Sequence, residues 1–273
     1  TLDVDALLKL GEKADIDALG SVTVTADGSS QKCEAQKNAD LVLQNQLSGE
    51  KISHSAIRIR LGVAWDEAFC FYYRDNLEFL EKQGVQIVRF SPVHDKHLPD
   101  DLDGLLLGGG YPELYAKALG ENETIRNEIR RKAEEDMPIL AECGGYLYLL
   151  KELKDENGTG YEMAGVFSGK GYKKGKNSHF GYITVQTERD SLYLKAGETI
   201  KGHEFHYWES TQDENELKMQ AKKPTGKRSW PCVTVKNQVM AGFPHLYYPS
   251  LEGFGERFVQ ACDRYRMKRK RQQ

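Results

Sequence analysis

The chain has 273 residues, more than one average domain requires, and this length predicts one large α/β domain with an appended segment. Its 38 Lys and Arg residues nearly balance its 41 Asp and Glu residues. The formal net charge of -3 gives no general reason to expect nucleic acid or an anionic membrane as a partner. No apolar run approaches the roughly 18 residues of a membrane-spanning helix, and no signal peptide opens the sequence, so we expect a soluble cytoplasmic protein.

The cysteine content also favours a reducing compartment. Five cysteines are present, an odd number without a C-x-x-C pair: Cys33, Cys70, Cys143, Cys232 and Cys262. These spacings suggest neither a disulfide framework nor a zinc site.

The first 55 residues differ in composition from the rest of the chain. They are rich in Asp, Lys, Gln, Ser and Ala and do not resemble a complete domain. From residue 57 onward, apolar runs alternate with helical patterns, which is typical of a sheet flanked by helices. We therefore divide the chain into a remnant or linker over residues 1–55, one domain over residues 56–265 and a basic tail over residues 266–273. The tail is expected to be a solvated, frayed terminus, with phosphate binding as the alternative.

The domain opens with a predicted β-α-β-β-α-β order. Strands are predicted over residues 57–64, 85–90, 105–107 and 138–142, and helices over residues 73–84, 121–135 and 146–150. After residue 160 strands dominate, with examples over residues 182–186 and 232–235, and a final helix follows over residues 251–266. This order predicts mostly parallel strands in a three-layer, flavodoxin-like α/β fold. The segment 169–176 does not satisfy G-x-x-x-x-G-K-[ST], so no ATP site of that type is predicted in this chain.

The strongest local signal is the segment Ala141-Glu142-Cys143-Gly144-Gly145-Tyr146, which lies between a buried strand and an apolar helix. A sharp strand-to-helix turn forces its central residue into a strained backbone conformation, and the following glycines allow the chain to pass close by. A thiol at a helix N-terminus is expected to favour the reactive thiolate. We interpret Cys143 as a nucleophile, although a lone cysteine is more often a buried structural residue.

A thiolate that attacks an amide creates a tetrahedral oxyanion, which needs preorganised N–H donors. The segment Gly108-Gly109-Gly110 ends the strand that precedes the elbow strand, and the carboxyl ends of neighbouring parallel strands share one edge of a sheet. We therefore predict that the backbone N–H groups of Gly109 and Gly144 form an oxyanion hole. A plain tight turn is the alternative for the glycine triplet.

A general base is needed beside the thiol, and the chain offers seven histidines: His54, His94, His97, His179, His203, His206 and His245. His245 follows the last apolar strand, far along the chain from Cys143, and this order is expected of a cysteine hydrolase domain. His203 and His206 are its rivals. They alternate with apolar residues, which also suits histidines of a sheet or a metal-binding pair, and we predict no metal site.

Five motifs in order give the chain a specific resemblance from about residue 57 to residue 262. They are Ala64-Trp65-Asp66-Glu67-Ala68-Phe69 with Phe71-Tyr72-Tyr73 and Asn76-Leu77, Leu107-Gly108-Gly109-Gly110-Tyr111-Pro112-Glu113, the Cys143 elbow, Gly202-His203-Glu204-Phe205-His206-Tyr207, and His245-Leu246. With them the sequence resembles the cobalamin-pathway glutamine amidotransferases of class I, most closely the cobyrinic acid a,c-diamide synthase branch. The resemblance implies a class I glutamine amidotransferase-like fold, with Cys143 as nucleophile and His245 as its partner.

The resemblance also implies the reaction and its participants. Glutamine donates ammonia, which amidates the a and c carboxylates of the corrinoid cobyrinic acid in a separate synthetase domain that uses ATP and Mg²⁺. Because Asp3-Val4-Asp5-Ala6-Leu7-Leu8 is similar to the end of that domain, we interpret the chain as the C-terminal half of a longer protein, without a cofactor of its own. Further contributors to the glutamine site are expected beside the oxyanion loop and near the base: Tyr111, Glu113, His203, Glu204 and His206.

Several alternatives stay open. Tyr146-Leu147-Tyr148-Leu149 departs from the cobyric acid synthase branch, which typically has Gln-Met-Leu after the Gly-Gly-Tyr of its elbow. A relative that acts on nickel-sirohydrochlorin in coenzyme F430 synthesis has the same motifs. Many class I amidotransferases place a glutamate two residues after the histidine, where this chain has Tyr247, so the third member of the triad is unassigned. Rival functions are a free-standing cysteine hydrolase, part of a lipid-linked isoglutaminyl synthase and a catalytically silent interaction domain.

Overall fold

A computed structural model of the chain describes residues 59–175, 179–212, 217–224 and 228–271. The predicted remnant over residues 1–55, together with Cys33 and His54, lies outside these ranges, and the predicted domain limits stay predictions. Among the residues that the structure describes, no helix is both long enough and apolar enough to cross a bilayer.

The described residues form a mixed sheet, a smaller sheet and flanking helices. The strands are β1 (Ile59–Ala64), β2 (Val85–Phe90), β3 (Gly104–Leu107), β4 (Ile139–Glu142), β5 (Glu152–Lys154), β6 (Gly160–Glu162), β7 (Lys170–Lys173), β8 (Phe180–Gln186), β9 (Thr199–Phe205), β10 (Trp208–Ser210), β11 (Leu217–Lys222), β12 (Ser229–Lys236), β13 (Val239–Gly242) and β14 (His245–Leu246). The helices are α1 (Arg74–Lys82), α2 (Ala116–Glu121), α3 (Glu123–Glu134), α4 (Gly144–Leu149) and α5 (Phe254–Lys270), and short 3-10 turns span Pro112–Tyr115 and Tyr248–Ser250.

One half of the main sheet is parallel. Its strands follow the order β2-β1-β3-β4-β13, and each neighbouring pair runs in the same direction. β3 and β4 consist of buried residues throughout, as expected for central strands that are covered on both faces. The parallel arrangement predicted for the first strands is confirmed.

The other half of the main sheet is antiparallel. It continues from β13 through β12, β11, β8 and β9 to β14, so the ten-stranded sheet as a whole is mixed. The register places His203 of β9 opposite Tyr182 of β8 on one side and opposite His245 of β14 on the other. The strand-rich region after residue 160 therefore extends the same sheet that carries the Cys143 elbow, and four shorter strands form a separate sheet in the order β10-β7-β5-β6.

Helices cover the main sheet on both faces. Leu105 and Leu107 of β3 belong to the core shared with α2, α3 and α4, whereas Leu106 belongs to the core shared with α1 and α5. This alternation follows from the two-residue period of side chains along a strand. The order of helices, sheet and helices confirms the predicted three-layer α/β fold.

The C-terminal helix differs from the prediction. α5 continues to Lys270, and Tyr265 is still buried on its inner side. The guanidinium of Arg269 donates to Oδ1 of the buried Asp103 at 3.0 Å and to Oδ1 of Asp101 at 2.9 Å. The expectation of a frayed tail is therefore wrong as far as Lys270, because Arg269 supplies the cation that a buried carboxylate requires.

Candidate active site

Cys143 lies in a sharp turn between β4 and α4, as the sequence predicted. Its φ of 50° and ψ of -100° form a backbone conformation that L-residues rarely adopt. The Cys143 N–H donates to the Gly242 carbonyl at 2.8 Å, and the Gly145 N–H donates to the Gly108 carbonyl at 2.9 Å. A Cβ on Gly145 would lie 2.1 Å from the Leu107 carbonyl oxygen, so only glycine fits there. The turn thus fixes Cys143 at the carboxyl edge of the parallel strands.

Cys143 and His245 line one cavity of about 290 Å³. Because β13 runs parallel to β4, the loop after Gly242 begins beside the elbow and leads the chain to His245 in β14. The cavity volume is at the lower end of the roughly 300–1,000 Å³ that small-molecule sites span. The structure therefore brings the predicted nucleophile and the predicted base together at a site suited to a small substrate.

Burial dominates the ionisation of the Cys143 thiol. It raises the pKa of Cys143 to about 12, and the carboxyls of Glu113 and Glu204 act in the same direction, whereas the Gly144 N–H lowers the pKa. Burial therefore opposes the thiolate that the helix N-terminus is expected to favour, and the Gly144 N–H supports it. A thiol that carries its proton needs a base before it can attack.

The imidazole of His245 is the candidate acceptor for that proton, because it lines the same cavity as the thiol. Burial, together with His203 and His206, lowers the pKa of His245 to about 3, so the pKa favours the neutral ring. His203 stacks on it at a centroid distance of 4.8 Å, and Phe71 meets it edge-on at 4.7 Å. A Cβ on Gly109 would lie 2.3 Å from Cε1 of His245, so the ring packs where only glycine leaves room. These contacts fix the ring on several sides.

Asn76 of α1 anchors the segment that follows His245. Its Nδ2 donates to the Leu246 carbonyl at 2.7 Å, and its Oδ1 accepts from the Tyr248 N–H at 2.9 Å. Asn76 is only 4% exposed, so water does not compete for either bond. The helix that follows the first aromatic motif therefore helps to position the base.

Glu142, to which the sequence assigned no role, stands next to the base. Its Oε2 lies 3.9 Å from Nδ1 of His245, and this buried nitrogen has no hydrogen-bond partner among the described residues. Its Oε1 accepts from the Leu246 N–H at 3.2 Å and from the Tyr248 hydroxyl at 3.3 Å. Burial raises the pKa of Glu142 to about 8. The available signal in the sequence was an ionisable residue at the end of an apolar, buried strand.

The predicted oxyanion hole needs one correction. The Gly109 N–H donates to the Phe71 carbonyl at 3.2 Å, and the Phe71 N–H donates to the Gly109 carbonyl at 3.0 Å. The assignment of Gly109 as an oxyanion donor is therefore wrong, because its N–H is already engaged. Within the described part of the chain, the Gly110 N–H has no hydrogen-bond partner, and its nitrogen is 3.1 Å from where a Cβ on Gly144 would be. Gly110 and Gly144 thus offer adjacent N–H groups beside Cys143.

Four of the other predicted residues line the same cavity: Tyr111, Glu113, His203 and His206. Glu113 is buried, and burial raises its pKa to about 7. Tyr111 is 57% exposed and stands at the cavity mouth. These positions suit contacts with a substrate that enters from solvent.

Glu204 lines a second cavity, of about 140 Å³. Its Oε2 lies 3.8 Å from Nδ1 of His179 and 3.5 Å from Nε2 of His206, and donor atoms of the three side chains fall within 4.8 Å of one another. Imidazole and carboxylate donors are ligands that zinc accepts. The possible metal ligands are thus His179, Glu204 and His206. They differ from the pair of His203 and His206 considered from the sequence, because His203 lines the cavity that contains Cys143. Trp230 Nε1 lies 3.2 Å from Oε2 of Glu204, so the protein itself supplies a hydrogen bond to this carboxylate.

Comparison with known proteins agrees with this geometry. Residues 60–251 match the family model of the CobB/CobQ-like glutamine amidotransferase domain. The chain belongs to this family. Solved structures similar to this amidotransferase domain include a GMP synthase-type protein from Thermoplasma acidophilum, with a TM-score of 0.51 and 19% identity over 79% of this chain and 99% of that chain. PurLQS from Thermotoga maritima gives a TM-score of 0.52 and 19% identity over 77% and 99% of the two chains. These likenesses show the class I glutamine amidotransferase-like fold.

Curated relatives of the amidotransferase domain are named cobyrinate a,c-diamide synthase. The protein of Caldanaerobacter subterraneus subsp. tengcongensis is 38% identical over 209 residues, which cover 76% of this chain and 46% of that protein. The protein of Picrophilus torridus is 38% identical over 228 residues, which cover 84% and 48% of the two chains. The chain therefore spans about half the length of these curated relatives.

Proposed function

We propose that this domain is the glutaminase half of an ATP-dependent amidotransferase that amidates the a and c carboxylates of cobyrinic acid in cobalamin biosynthesis. The observation that carries the glutaminase assignment is the convergence of Cys143, in its strained turn, and His245 on one cavity. The names of the curated relatives support the choice of acceptor.

In the proposed reaction, the side-chain carboxamide of glutamine lies with its carbon beside Sγ of Cys143. His245 takes the thiol proton as sulfur attacks, a C–S bond forms, and negative charge develops on the carboxamide oxygen. The N–H groups of Gly110 and Gly144 stabilise this charge, and loss of one such donor typically costs about 10²- to 10³-fold in rate. The C–N bond then breaks, His245 returns the proton to the departing nitrogen, and ammonia leaves.

A γ-glutamyl thioester remains on Cys143. A water molecule attacks it and gives a proton to His245, and the same N–H groups hold the second oxyanion. The C–S bond breaks, His245 returns the proton to sulfur, and glutamate leaves. One water and one glutamine thus become one glutamate and one ammonia, and both residues regain their starting states.

We assign Glu142 as the residue that positions His245. Because two donors hold its Oε1, Oε2 points towards Nδ1 of His245 and leaves Nε2 for the thiol. A carboxylate at this place selects the tautomer that carries its proton on Nδ1 and stabilises the imidazolium that forms in each half-reaction. Glu142 thereby takes the part that a glutamate two residues after the histidine has in many class I amidotransferases.

We place the sites for ATP and Mg²⁺ in the part of the protein that activates the acceptor carboxylates. This chain contains no G-x-x-x-x-G-K-[ST] segment, and the residues around Cys143 serve glutamine.

A cytoplasmic location is inferred from the thiols of Cys70, Cys143, Cys232 and Cys262, which are free. Nickel-sirohydrochlorin is the alternative acceptor, since it also carries a and c carboxylates for amidation.

The deciding experiment measures glutamate release from glutamine by this chain and its Cys143→Ala variant, with and without the ATP-dependent half, ATP and cobyrinic acid. We expect release that depends on Cys143 and increases when the acceptor is present. Cys70→Ala removes an exposed thiol at the mouth of the same cavity, so release that survives it assigns the nucleophile to Cys143. No release under any condition, together with no labelling of Cys143 by an electrophilic glutamine analogue, would refute the glutaminase. Replacing cobyrinic acid by nickel-sirohydrochlorin distinguishes the two acceptors.

A further inference from the structure

Glu204 is a buried carboxylate without a permanently charged partner among the described residues. It lies in β9 and is 1% exposed, and its ion-pair partners in this part of the chain are two histidines, His179 and His206. Trp230 adds a neutral N–H donor, 3.2 Å from Oε2. A buried carboxylate is costly unless a cation lies beside it. The position of Glu204 therefore indicates a cation that it shares with the two histidines.

The charges that line the second cavity favour the same conclusion. Lys174 is the basic residue among the described residues that line it, and its Nζ lies 3.4 Å from Oε1 of Glu209, which lines the same cavity. These two charges balance each other. With neutral histidines, the carboxylate of Glu204 therefore gives the cavity a net negative charge, which attracts a cation.

The ring of His206 presents a lone pair to Glu204. Its Nδ1 lies 2.6 Å from the Trp208 carbonyl oxygen, which can only accept a hydrogen bond, so Nδ1 carries the hydrogen. In the neutral ring, Nε2 is then the nitrogen with the lone pair, and it lies 3.5 Å from Oε2 of Glu204. A positive species between these two electron-rich atoms stabilises the arrangement. Histidines that bind metals typically donate their other N–H to a carbonyl or a carboxylate in this way.

Aromatic contacts hold both imidazoles in place. The ring of His206 stacks on Phe243 at a centroid distance of 4.0 Å and an angle of 9°. The ring of His179 stacks on Trp230 at 4.2 Å and 12°, and Trp230 also donates to the carboxylate of Glu204. Side chains whose orientation is fixed by their neighbours form a preorganised site. The three donors are thus positioned before any ion binds.

We propose that His179, Glu204 and His206 bind a zinc ion through Nδ1, Oε2 and Nε2. Bonds of about 2.0–2.2 Å to such donors put the ligand atoms of a tetrahedral site about 3.4 Å apart. The measured distances from Oε2 of Glu204 are 3.8 and 3.5 Å, and all three atoms lie within 4.8 Å of one another, so small adjustments close the site. Two imidazole donors favour zinc over Mg²⁺ and Ca²⁺, which prefer oxygen ligands.

We assign the fourth ligand position to water. Cys232 also lines the cavity, but its thiol donates to the Met219 carbonyl at 3.5 Å. The cavity of about 140 Å³ accommodates a water molecule, which occupies roughly 30 Å³ in the liquid. The ion would link the residue before β8 to the end of β9, the strand whose His203 stacks on His245. We therefore expect zinc to stabilise this part of the sheet, and its binding does not depend on the proposed function.

The test titrates zinc into this chain after treatment with a chelator, with a chromophoric competitor that reports the unbound ion. Glu204→Gln keeps the size of the side chain and an acceptor for Trp230, but removes the charge. His179→Phe keeps a ring that can stack and removes the ligand nitrogen. His94→Phe is the matched control, because His94 is an exposed histidine that also pairs with a carboxylate. Cys143→Ala is a second control, because a thiol and imidazoles also line the catalytic cavity.

We expect the wild-type chain and both control variants to bind one zinc ion each. Glu204→Gln and His179→Phe should bind it about 100-fold more weakly or worse, because loss of an outer-shell partner alone typically costs about 10- to 100-fold. Zinc at about 100 times its Kd should raise the unfolding temperature of the wild-type chain by about 5 °C or more. Mg²⁺ should not raise it. X-ray absorption of the zinc-loaded chain should show two imidazole ligands.

Two results would overturn the zinc site directly. They are zinc binding that survives both Glu204→Gln and His179→Phe, and zinc binding that is lost in Cys143→Ala, which would place the ion in the catalytic cavity. Absence of binding would also overturn it and leave a proton between Glu204 and His206. Unfolding of the metal-free variants shows that they are folded, and the X-ray absorption of the wild-type chain decides if one is not. Glutamate release is measured separately, so zinc binding and the glutaminase assignment stand or fall independently.

Discussion

Oε2 of Glu142 lies 3.9 Å from Nδ1 of His245, and both side chains are buried. Burial raises the pKa of Glu142 to about 8 and lowers the pKa of His245 to about 3. We therefore expect the pair to hold one proton at neutral pH, on the carboxyl of Glu142. That proton has to leave before Glu142 is a carboxylate that can support His245, while Nε2 of His245 acts as the base towards Cys143. The titration belongs to the pair and not to either residue alone.

This coupling predicts the pH dependence of glutamine hydrolysis. In the wild-type protein, kcat/KM should rise with pH and reach a plateau above an apparent pKa near 8. Glu142→Gln should lower the plateau roughly 10- to 1,000-fold, because the imidazolium loses its carboxylate, and should move the rise to lower pH. Burial raises the pKa of each neighbouring tyrosine, so Tyr72, Tyr73 and Tyr248 do not titrate in this interval. Glu113 of the same cavity, with a pKa of about 7, does titrate there, so the profile of Glu113→Gln is measured alongside. A variant whose profile is lowered without being shifted would contradict the positioning role.

Glu142 should also make the stability of the domain depend on pH. Its pKa in the folded protein, about 8, lies above the reference value of 4.5. The stabilisation of the protonated carboxyl is fully present below pH 4.5 and is lost as pH rises through about 8. The free energy of unfolding should therefore fall over this interval, by at most about 1.4 kcal/mol per pH unit. Urea unfolding of Glu142→Gln should show a flatter dependence, and parallel curves for the two proteins would count against the assignment.

Gly109 should tolerate no side chain, although its N–H does not serve the oxyanion. A Cβ there would lie 2.3 Å from Cε1 of His245 and would displace the ring. Gly109→Ala should reduce kcat/KM for glutamine about 100-fold or more, since small displacements of catalytic groups carry penalties of this size. Gly84→Ala is the control, because a Cβ at Gly84 meets nothing within 4 Å. The control should retain activity and lose about 1 kcal/mol of stability through its positive φ. Full activity of Gly109→Ala would show that the ring position is not critical.

Asn76 should contribute to both stability and activity. Asn76→Ala leaves the buried Leu246 carbonyl and Tyr248 N–H without their partner, which should cost about 2–4 kcal/mol in urea unfolding. The same change should lower the rate of glutamate release, because the segment that carries His245 loses its anchor. Asn127→Ala replaces an exposed asparagine in α3 and should alter stability by no more than about 0.5 kcal/mol. Equal stability of the two variants would contradict the anchoring role.

The convergence of Cys143, the glycine triplet and His245 could be predicted from the sequence, because neighbouring parallel strands end at one edge of a sheet. The donor assignment within the triplet could not. The partner of the Gly109 N–H is the carbonyl of Phe71, which lies in a loop far away in sequence. Whether a given N–H in a glycine-rich loop is free depends on such tertiary contacts, and so Gly110 was not distinguished from Gly109.

The roles of ionisable residues were also beyond the sequence pattern. Glu142 follows three apolar residues in a buried strand, but only the pairing of β4 with β13 shows that its side chain meets His245 and Leu246. Tyr247, at the position of the triad glutamate in related enzymes, bonds through its hydroxyl to the carboxylate of Asp75 at 3.1 Å. Burial likewise opposes the Cys143 thiolate that the position at a helix N-terminus favours.

Phe71 joins three parts of the site in one residue. Its backbone exchanges two hydrogen bonds with Gly109, its ring meets His245 at 4.7 Å, and 41% of the residue is exposed at the mouth. A smaller side chain at this position would enlarge the entrance and release the imidazole in the same step. A substitution of Phe71 would therefore change substrate scope and catalytic activity together. To make this domain accept a bulkier amide donor, the entrance has to be widened at Tyr111 or Tyr207, with Phe71 left unchanged.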